Sequence, residues 1–294
     1  MNSIKFESRI GKGEATVRQF LGGFTLIELL VVTGTVALLL MVVTPAFSRM
    51  KPNGHAVRCL NNMRQLALAW QMYADDNNGK IVVNLQGAAA MGGAGDPNYG
   101  QGWASGWMDW SPLPDNTNTI FLTNPRYARL APYLNGTTNV FKCPADRYLS
   151  SPQQAMRWSQ RARSYCANIY LGAGNAEQGP TDPLYKHIFR ISEMLYPTPA
   201  QTWVYLEEHP DSINDPAFFS PHQAAWIDFP ATHHNGAGAF SFADGHAELH
   251  RWTGSLTRLA SVSFISFPVI TALPNDQDLR WVSYHSERYS PTSY

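Results

Sequence analysis

The side chains with the most chemical potential cluster late in the chain. Glu207, Glu208, His209, Asp211 and Asp215 crowd the segment EEHPDSINDPAF, and His233, His234, Asp244 and His246 follow in HHNGAGAFSFADGH. Oxygen and imidazole donors of these types suit calcium or a transition metal, and Glu207, Glu208, His209 and Asp211 are the candidate ligands. Their spacing does not choose between ions, and a solvated acidic turn accounts equally well for the same residues. The H-E-x-x-H pair of zinc proteases is absent, as are a G-x-S-x-G elbow, a P-loop and a G-x-G-x-x-G following a strand. A metal-dependent surface hydrolase, to be tested at Glu208 and His234, is the catalytic alternative to a non-enzymatic reading.

Cys59, Cys143 and Cys166 lie far apart without C-x-x-C spacing, which excludes a zinc ribbon and allows at most one intramolecular disulfide. Trp103, Trp107 and Trp110 stand in a long Gly-rich segment, either as packing anchors or as a sugar-binding face. With 22 basic and 22 acidic residues there is no electrostatic footprint for nucleic acid.

A different kind of chemistry is written near the amino terminus. From Phe24 to Phe47 the only charged residue is Glu28, in GGFTLIELLVV. The run is long enough for one crossing of a hydrocarbon core roughly 30 Å thick. Lys5, Arg9, Lys12 and Arg18 precede it, a basic excess that predicts a cytoplasmic leader and an outward-facing remainder. An acid inside such a run needs a partner. A cation four residues before Glu28 would share its helix face.

Gly23-Phe24-Thr25-Leu26-Ile27-Glu28 resembles the signature of type IV prepilins and type II secretion pseudopilins. The resemblance implies that prepilin peptidase cuts between Gly23 and Phe24 and N-methylates Phe24. It also implies that Glu28 contacts the amino group of a neighbouring subunit during assembly. Pro45 stands where this family carries a helix-loosening proline. Implied partners are the peptidase, other pilin or pseudopilin subunits, the inner-membrane assembly platform and the membrane. The implied location is single-pass in a bacterial inner membrane, with a cytoplasmic leader and a periplasmic or extracellular head.

A second resemblance is to the H-x9-DG domain of prepilin-processed proteins, carried by His234 and Asp244-Gly245. Cys59-Leu60-Asn61-Asn62, Cys143-Pro144-Ala145-Asp146 and Ser164-Tyr165 agree with it. Turn chemistry also explains Asp244-Gly245, with His234 bonding across the hairpin. No cofactor is required; Ca2+ is the candidate, by analogy with the calcium-binding head loop of major pseudopilins. In an oxidising periplasm Cys59 and Cys143 are the expected disulfide partners.

The elements that must position these residues follow from periodicity. The expected fold is α+β and pilin-like: a long amino-terminal helix, transmembrane and then amphipathic, packed on a small antiparallel sheet with long Gly/Trp-rich loops. The expected segments are a leader (1–23), an assembly helix (24–47), an extracytoplasmic helix (48–79) and a head (80–294) containing the motif at 234–245. Val57, Leu60, Met63, Leu66, Leu68 and Trp70 predict the buried helix stripe, ending at Asn77-Asn78-Gly79. Strands are expected at 165–171, 202–207, 237–243 and 246–252, the last two joined by an Ala-Asp-Gly turn, and a short helix at 124–134. The expected function is a structural subunit of a type II secretion pseudopilus or type IV pilus-like filament. The alternative is a membrane-anchored extracytoplasmic protein that binds glycans or uses a metal.

Overall fold

Thr25 and Glu28 start the first helix. The Thr25 amide and hydroxyl both donate to the Glu28 carboxylate at 2.9 Å, and the Glu28 amide donates back to Thr25 Oγ1 at 3.3 Å. This reciprocal pattern is a capping box, which satisfies donors that the first helical turn leaves open. The computed structural model describes residues 25–91, 100–173, 187–219, 225–258, 261–266, 270–271 and 273–286, without the side chains at 42–53 and 88. Helix α1 runs Leu26–Asp76, and the chain divides into two units, Met1–Arg49 and Met50–Tyr294.

In the first unit the described side chains of α1, including Leu26, Ile27, Leu29, Leu30, Leu38 and Leu39, are exposed. The expected transmembrane helix is not found here: among the described residues no helix is long and apolar enough to cross a membrane. Glu28, Thr33, Gly34 and Thr35 dilute the apolar character of the described side chains of α1. Single-pass anchoring in an inner membrane is accordingly not supported. Helical backbone continues through Pro45 and Pro52. Gly23 and Phe24 lie outside the described residues.

The second unit is α+β. Its part of α1 buries Cys59, Met63, Leu66, Ala67, Trp70 and Ala74, spaced along one helical face. Val57 and Leu68, expected in that stripe, are 56% and 55% exposed; the small residues Ala67 and Ala74 complete it instead. The helix ends as its sequence predicts, with Asn78 and Gly79 at positive φ and the Gly79 amide returning to the Ala74 carbonyl.

Five further helices are short: α2 (Gly87–Met91), α3 (Ile120–Thr123), α4 (Ser151–Ala155), α5 (Ser255–Arg258) and α6 (Gln277–Tyr284). The strands are β1 (Tyr165–Asn168), β2 (Trp203–Glu207), β3 (Ala217–Phe218), β4 (Ala225–Trp226), β5 (Ala237–Phe242), β6 (Ala247–Arg251) and β7 (Ile270–Thr271). All four expected strands form, each shorter than its apolar run. The helix expected at 124–134 is instead a turn followed by a 3-10 segment, Ala131–Leu134. Pro125 and Pro132 lack the amides that a continuous helix needs there.

The main sheet has the order β3-β1-β2-β5-β6, with β1 and β3 parallel and the other pairings antiparallel; β4 and β7 pair separately. Strand alternation divides the interior. Tyr165, Ala167, Tyr205 and Ala239 join the core formed with Cys59, Met63 and Trp70 of α1. Cys166, Leu206, Phe240 and Phe242 join a second core with Phe218, Trp226, Trp252 and Val282.

Candidate functional site

Four segments distant in sequence meet on the α1 side of the sheet. Cys59 lies on the buried stripe of α1, and Asn62, one turn later, donates to the carbonyls of Asn139 and Lys142 at 3.0 and 2.9 Å. Those two bonds hold the turn that delivers Cys143. The turn is pinned from below as well: Ser164 Oγ accepts the Cys143 amide at 3.2 Å and donates to Asp146 at 2.7 Å, while Asp146 pairs with buried Lys142 at 2.6 Å. Burial alone would raise the Asp146 carboxyl, but Lys142 and Arg161 hold it well below the usual carboxylate range.

Glu207 ends β2 opposite Tyr165 of β1, in a register that puts both on the α1 side. His234 comes from the loop entering β5. The Ala231 amide donates to the Glu207 carbonyl at 2.8 Å, and Asn235 and Gly236 at positive φ reverse the chain directly after the histidine. The outcome is a fully buried set in which the donor atoms of Cys59, Cys143, Glu207 and His234 all lie within 4.8 Å of one another.

His234 Nε2 is 3.2 Å from Glu207 Oε2 and 3.5 Å from Cys143 Sγ. The Tyr165 hydroxyl donates to Cys59 Sγ at 3.2 Å, the Ala145 amide to Cys143 Sγ at 3.4 Å, and the Ala239 amide to Glu207 Oε2 at 3.3 Å. Burial pushes both thiols up, so in the metal-free protein they are protonated and poor nucleophiles. Burial would also raise Glu207, but His233 and His234 outweigh it and hold the carboxyl below its usual value. Burial opposes protonation of His234, yet its bonds to Cys143 and Glu207 push it up to about 10.

A Cys-His-Glu group invites comparison with a nucleophilic triad. In a triad one imidazole nitrogen faces the nucleophile and the other faces the orienting acid. Here the same Nε2 faces both. The geometry is that of donors converging on a point, and it carries no proton relay.

The other expected ligands are dispersed. Glu208, the next residue along, lies on the opposite side of the strand and accepts from Ser212 Oγ at 2.7 Å; burial pushes its carboxyl up. His209 Nδ1 accepts the Asp211 amide at 3.2 Å. Asp211 accepts from Trp110 Nε1, from the Ser263 amide and hydroxyl, and from the Phe264 amide, so protein donors already occupy its carboxylate. It borders a cavity of about 290 Å3 together with Trp107, Trp110 and Asp228. Trp103 is wholly buried against Phe141 and Tyr205, which makes it a packing anchor and not a sugar platform.

Asp244 and Gly245, separated from His234 by the motif's nine intervening residues, form the β5–β6 turn and lie apart from the donor cluster. Asp244 Oδ1 accepts from the His246 amide at 3.1 Å and from its Nδ1 at 2.6 Å, and Gly245 has φ +93°. His234 therefore does not bond across this hairpin; its side chain reaches Glu207 on β2. Cys59 and Cys143, the expected disulfide partners, are adjacent as free thiols. At the amino terminus, the described partner of Glu28 is Thr25, and those bonds, the backbone one foremost, hold its carboxyl below the usual value. The T-x-x-E spacing in the sequence is the signal that identifies this cap.

Comparison with known proteins gives one informative similarity. Over 90 residues the chain is 34% identical to a Clostridium perfringens protein named prepilin peptidase-dependent protein A, covering 30% of this chain and 64% of that protein. This supports a prepilin-related family at most. The aligned part spans a little under two thirds of that relative. No family model matches the chain, and no solved structure matches it.

Proposed function

We propose that the chain is a pilin-like structural subunit, dependent on prepilin peptidase, which is cut between Gly23 and Phe24 and N-methylated on Phe24. The mature subunits then assemble with one another, or with other pilin-like subunits, through the amino-terminal part of α1 into a type II secretion or type IV pilus-like filament. The similarity to a protein named for its dependence on prepilin peptidase carries this reading. A second support is the exposure of Leu26, Ile27, Leu29, Leu30, Leu38 and Leu39, a contiguous apolar helix surface of the kind that marks an interaction site.

We read the role as architectural; in support, the buried Cys143, His234 and Glu207 lack the geometry of a proton relay. Mass spectrometry of the chain from cells with and without prepilin peptidase tests the proposal. An amino terminus at methylated Phe24 that depends on the peptidase is expected. An uncut chain, or a different terminus, in peptidase-positive cells would refute it.

A further inference from the structure

We propose that Cys59, Cys143, Glu207 and His234 form a structural site for one zinc-class divalent ion. Two sulfurs, one imidazole and one carboxylate are all established zinc ligands, and four protein donors make a closed site. Zinc lies about 2.3 Å from sulfur and about 2.0 Å from nitrogen or oxygen, so tetrahedral edges are roughly 3.5 Å between S and N and roughly 3.3 Å between N and O. The two resolved edges are 3.5 Å from Cys143 Sγ to His234 Nε2 and 3.2 Å from His234 Nε2 to Glu207 Oε2. Two of the six donor-to-donor edges thus match tetrahedral spacing, and the other four are no longer than 4.8 Å.

A second observation points inward. Glu207 is wholly buried, yet its Oε1 has no hydrogen-bond partner among the described residues. Leaving a buried carboxylate oxygen unsatisfied is costly, and a cation bound to the same carboxylate neutralises its charge and so offsets much of that cost. The surrounding shell is built for anionic ligands: the Tyr165 hydroxyl and Ala145 amide point at the sulfurs, and the Ala239 amide at the carboxylate. Such outer partners orient ligands and tune the metal.

Calcium fits poorly, because it requires six to eight oxygen ligands. Two thiolates, an imidazole and a carboxylate in a four-coordinate set suit zinc, which imposes no geometric preference of its own on mixed sulfur, nitrogen and oxygen ligands. On binding, both thiols and the His234 imidazolium each release a proton to solvent, and the metal takes the place of those protons on the two sulfurs and on Nε2. The ion then ties together α1, the turn after Phe141, the end of β2 and the loop entering β5. It is a cross-link among segments that no continuous element joins.

The experiment uses the full-length chain, purified with Zn2+ and freed of excess ion by dialysis. Elemental analysis is expected to find one zinc per chain. Replacement by Co2+ is expected to give the visible bands of tetrahedral cobalt and a thiolate-to-cobalt charge-transfer band. Cys59→Ser and Cys143→Ser each lose the ion and weaken the charge-transfer band, whereas Cys166→Ser, on the other side of the sheet, keeps both. Tyr165→Phe keeps the ligands and is expected to weaken zinc binding on the order of tenfold. A folded wild-type chain, verified by circular dichroism, that binds no zinc would overturn the proposal even if every variant misfolded. Zinc retained by the Cys59→Ser/Cys143→Ser double variant, or a Cys59–Cys143 disulfide in zinc-treated protein mapped without reductant, would do the same.

Discussion

Asn62 holds Cys143 in place without touching it: its side-chain amide donates to the Asn139 and Lys142 carbonyls on the turn that ends at that cysteine. The C-L-N-N sequence on α1 thus supplies a sulfur from its first residue and a clamp from its last. The spacing of one helical turn puts both on the same face.

Asn62→Ala therefore leaves two carbonyls without their donor. A loss of about 1 kcal/mol is expected, since the Asn139 bond is exposed and only the Lys142 bond is partly buried. Chemical denaturation should show a lower midpoint at unchanged slope, and zinc affinity should fall with it. An unchanged midpoint would mean that the turn is held by Ser164 and Asp146 alone.

Lys142 and Asp146 test the same turn from beneath. Removing one partner of a buried pair typically costs about 3 to 5 kcal/mol, because the other charge is left uncompensated. Lys142→Met should approach that loss, while Lys142→Met/Asp146→Leu should recover much of it. Because the folded Asp146 carboxyl is held low, the wild-type pair stabilises the fold above the unfolded carboxylate value of about 3.9, and the contribution fades as pH falls below it. Melting temperatures measured from pH 2 to 5 should show this slope in the wild type and a smaller one in the double variant.

His250 provides a separate pH test away from the donor cluster. It stacks on Trp281 with ring centroids 3.7 Å apart, and burial lowers it to about 4, with His285 opposing and Asp278 favouring protonation. A histidine with a depressed folded pKa stabilises above its unfolded value of about 6.5 and loses that contribution as pH falls towards 4. Melting temperature should decline across that window, and His250→Phe, which keeps the stack, should flatten the decline. An identical profile in the variant would locate the titration elsewhere.

The Thr25–Glu28 cap separates two roles of one carboxylate. Glu28→Gln keeps a side chain able to complete a capping box but removes its charge. First-turn amide exchange should stay near wild type, while Thr25→Ala should speed it several-fold. If Glu28→Gln also leaves cleavage intact and still stops filament formation, the charge itself serves assembly. Normal filaments from Glu28→Gln would assign the residue to capping alone.

Local rules explain much of the architecture. The short apolar runs around Tyr165, Trp203 and Ala237 and the more polar one around Ala247 determine strands, Asp244-Gly245 determines a hairpin turn, and Asn77-Asn78-Gly79 ends α1, because each depends on neighbours in the chain. The buried face of α1 was legible only in part. Val57 and Leu68 are apolar but exposed, and which side of the helix meets the sheet depends on contacts from far along the chain.

The apolar run after Phe24 predicts a membrane span, yet among the described residues no helix is long and apolar enough to cross one, and Glu28, Thr33, Gly34 and Thr35 dilute this one. The sequence by itself determined the donor types, the T-x-x-E cap and the strand pattern. Only the tertiary structure decided that Glu207 faces Cys59 while Glu208 faces away, and that His234 leaves its own hairpin to join Cys143. Ligand convergence is a property of register and packing across Cys59, Cys143, Glu207 and His234, and one-dimensional spacing carries no record of it.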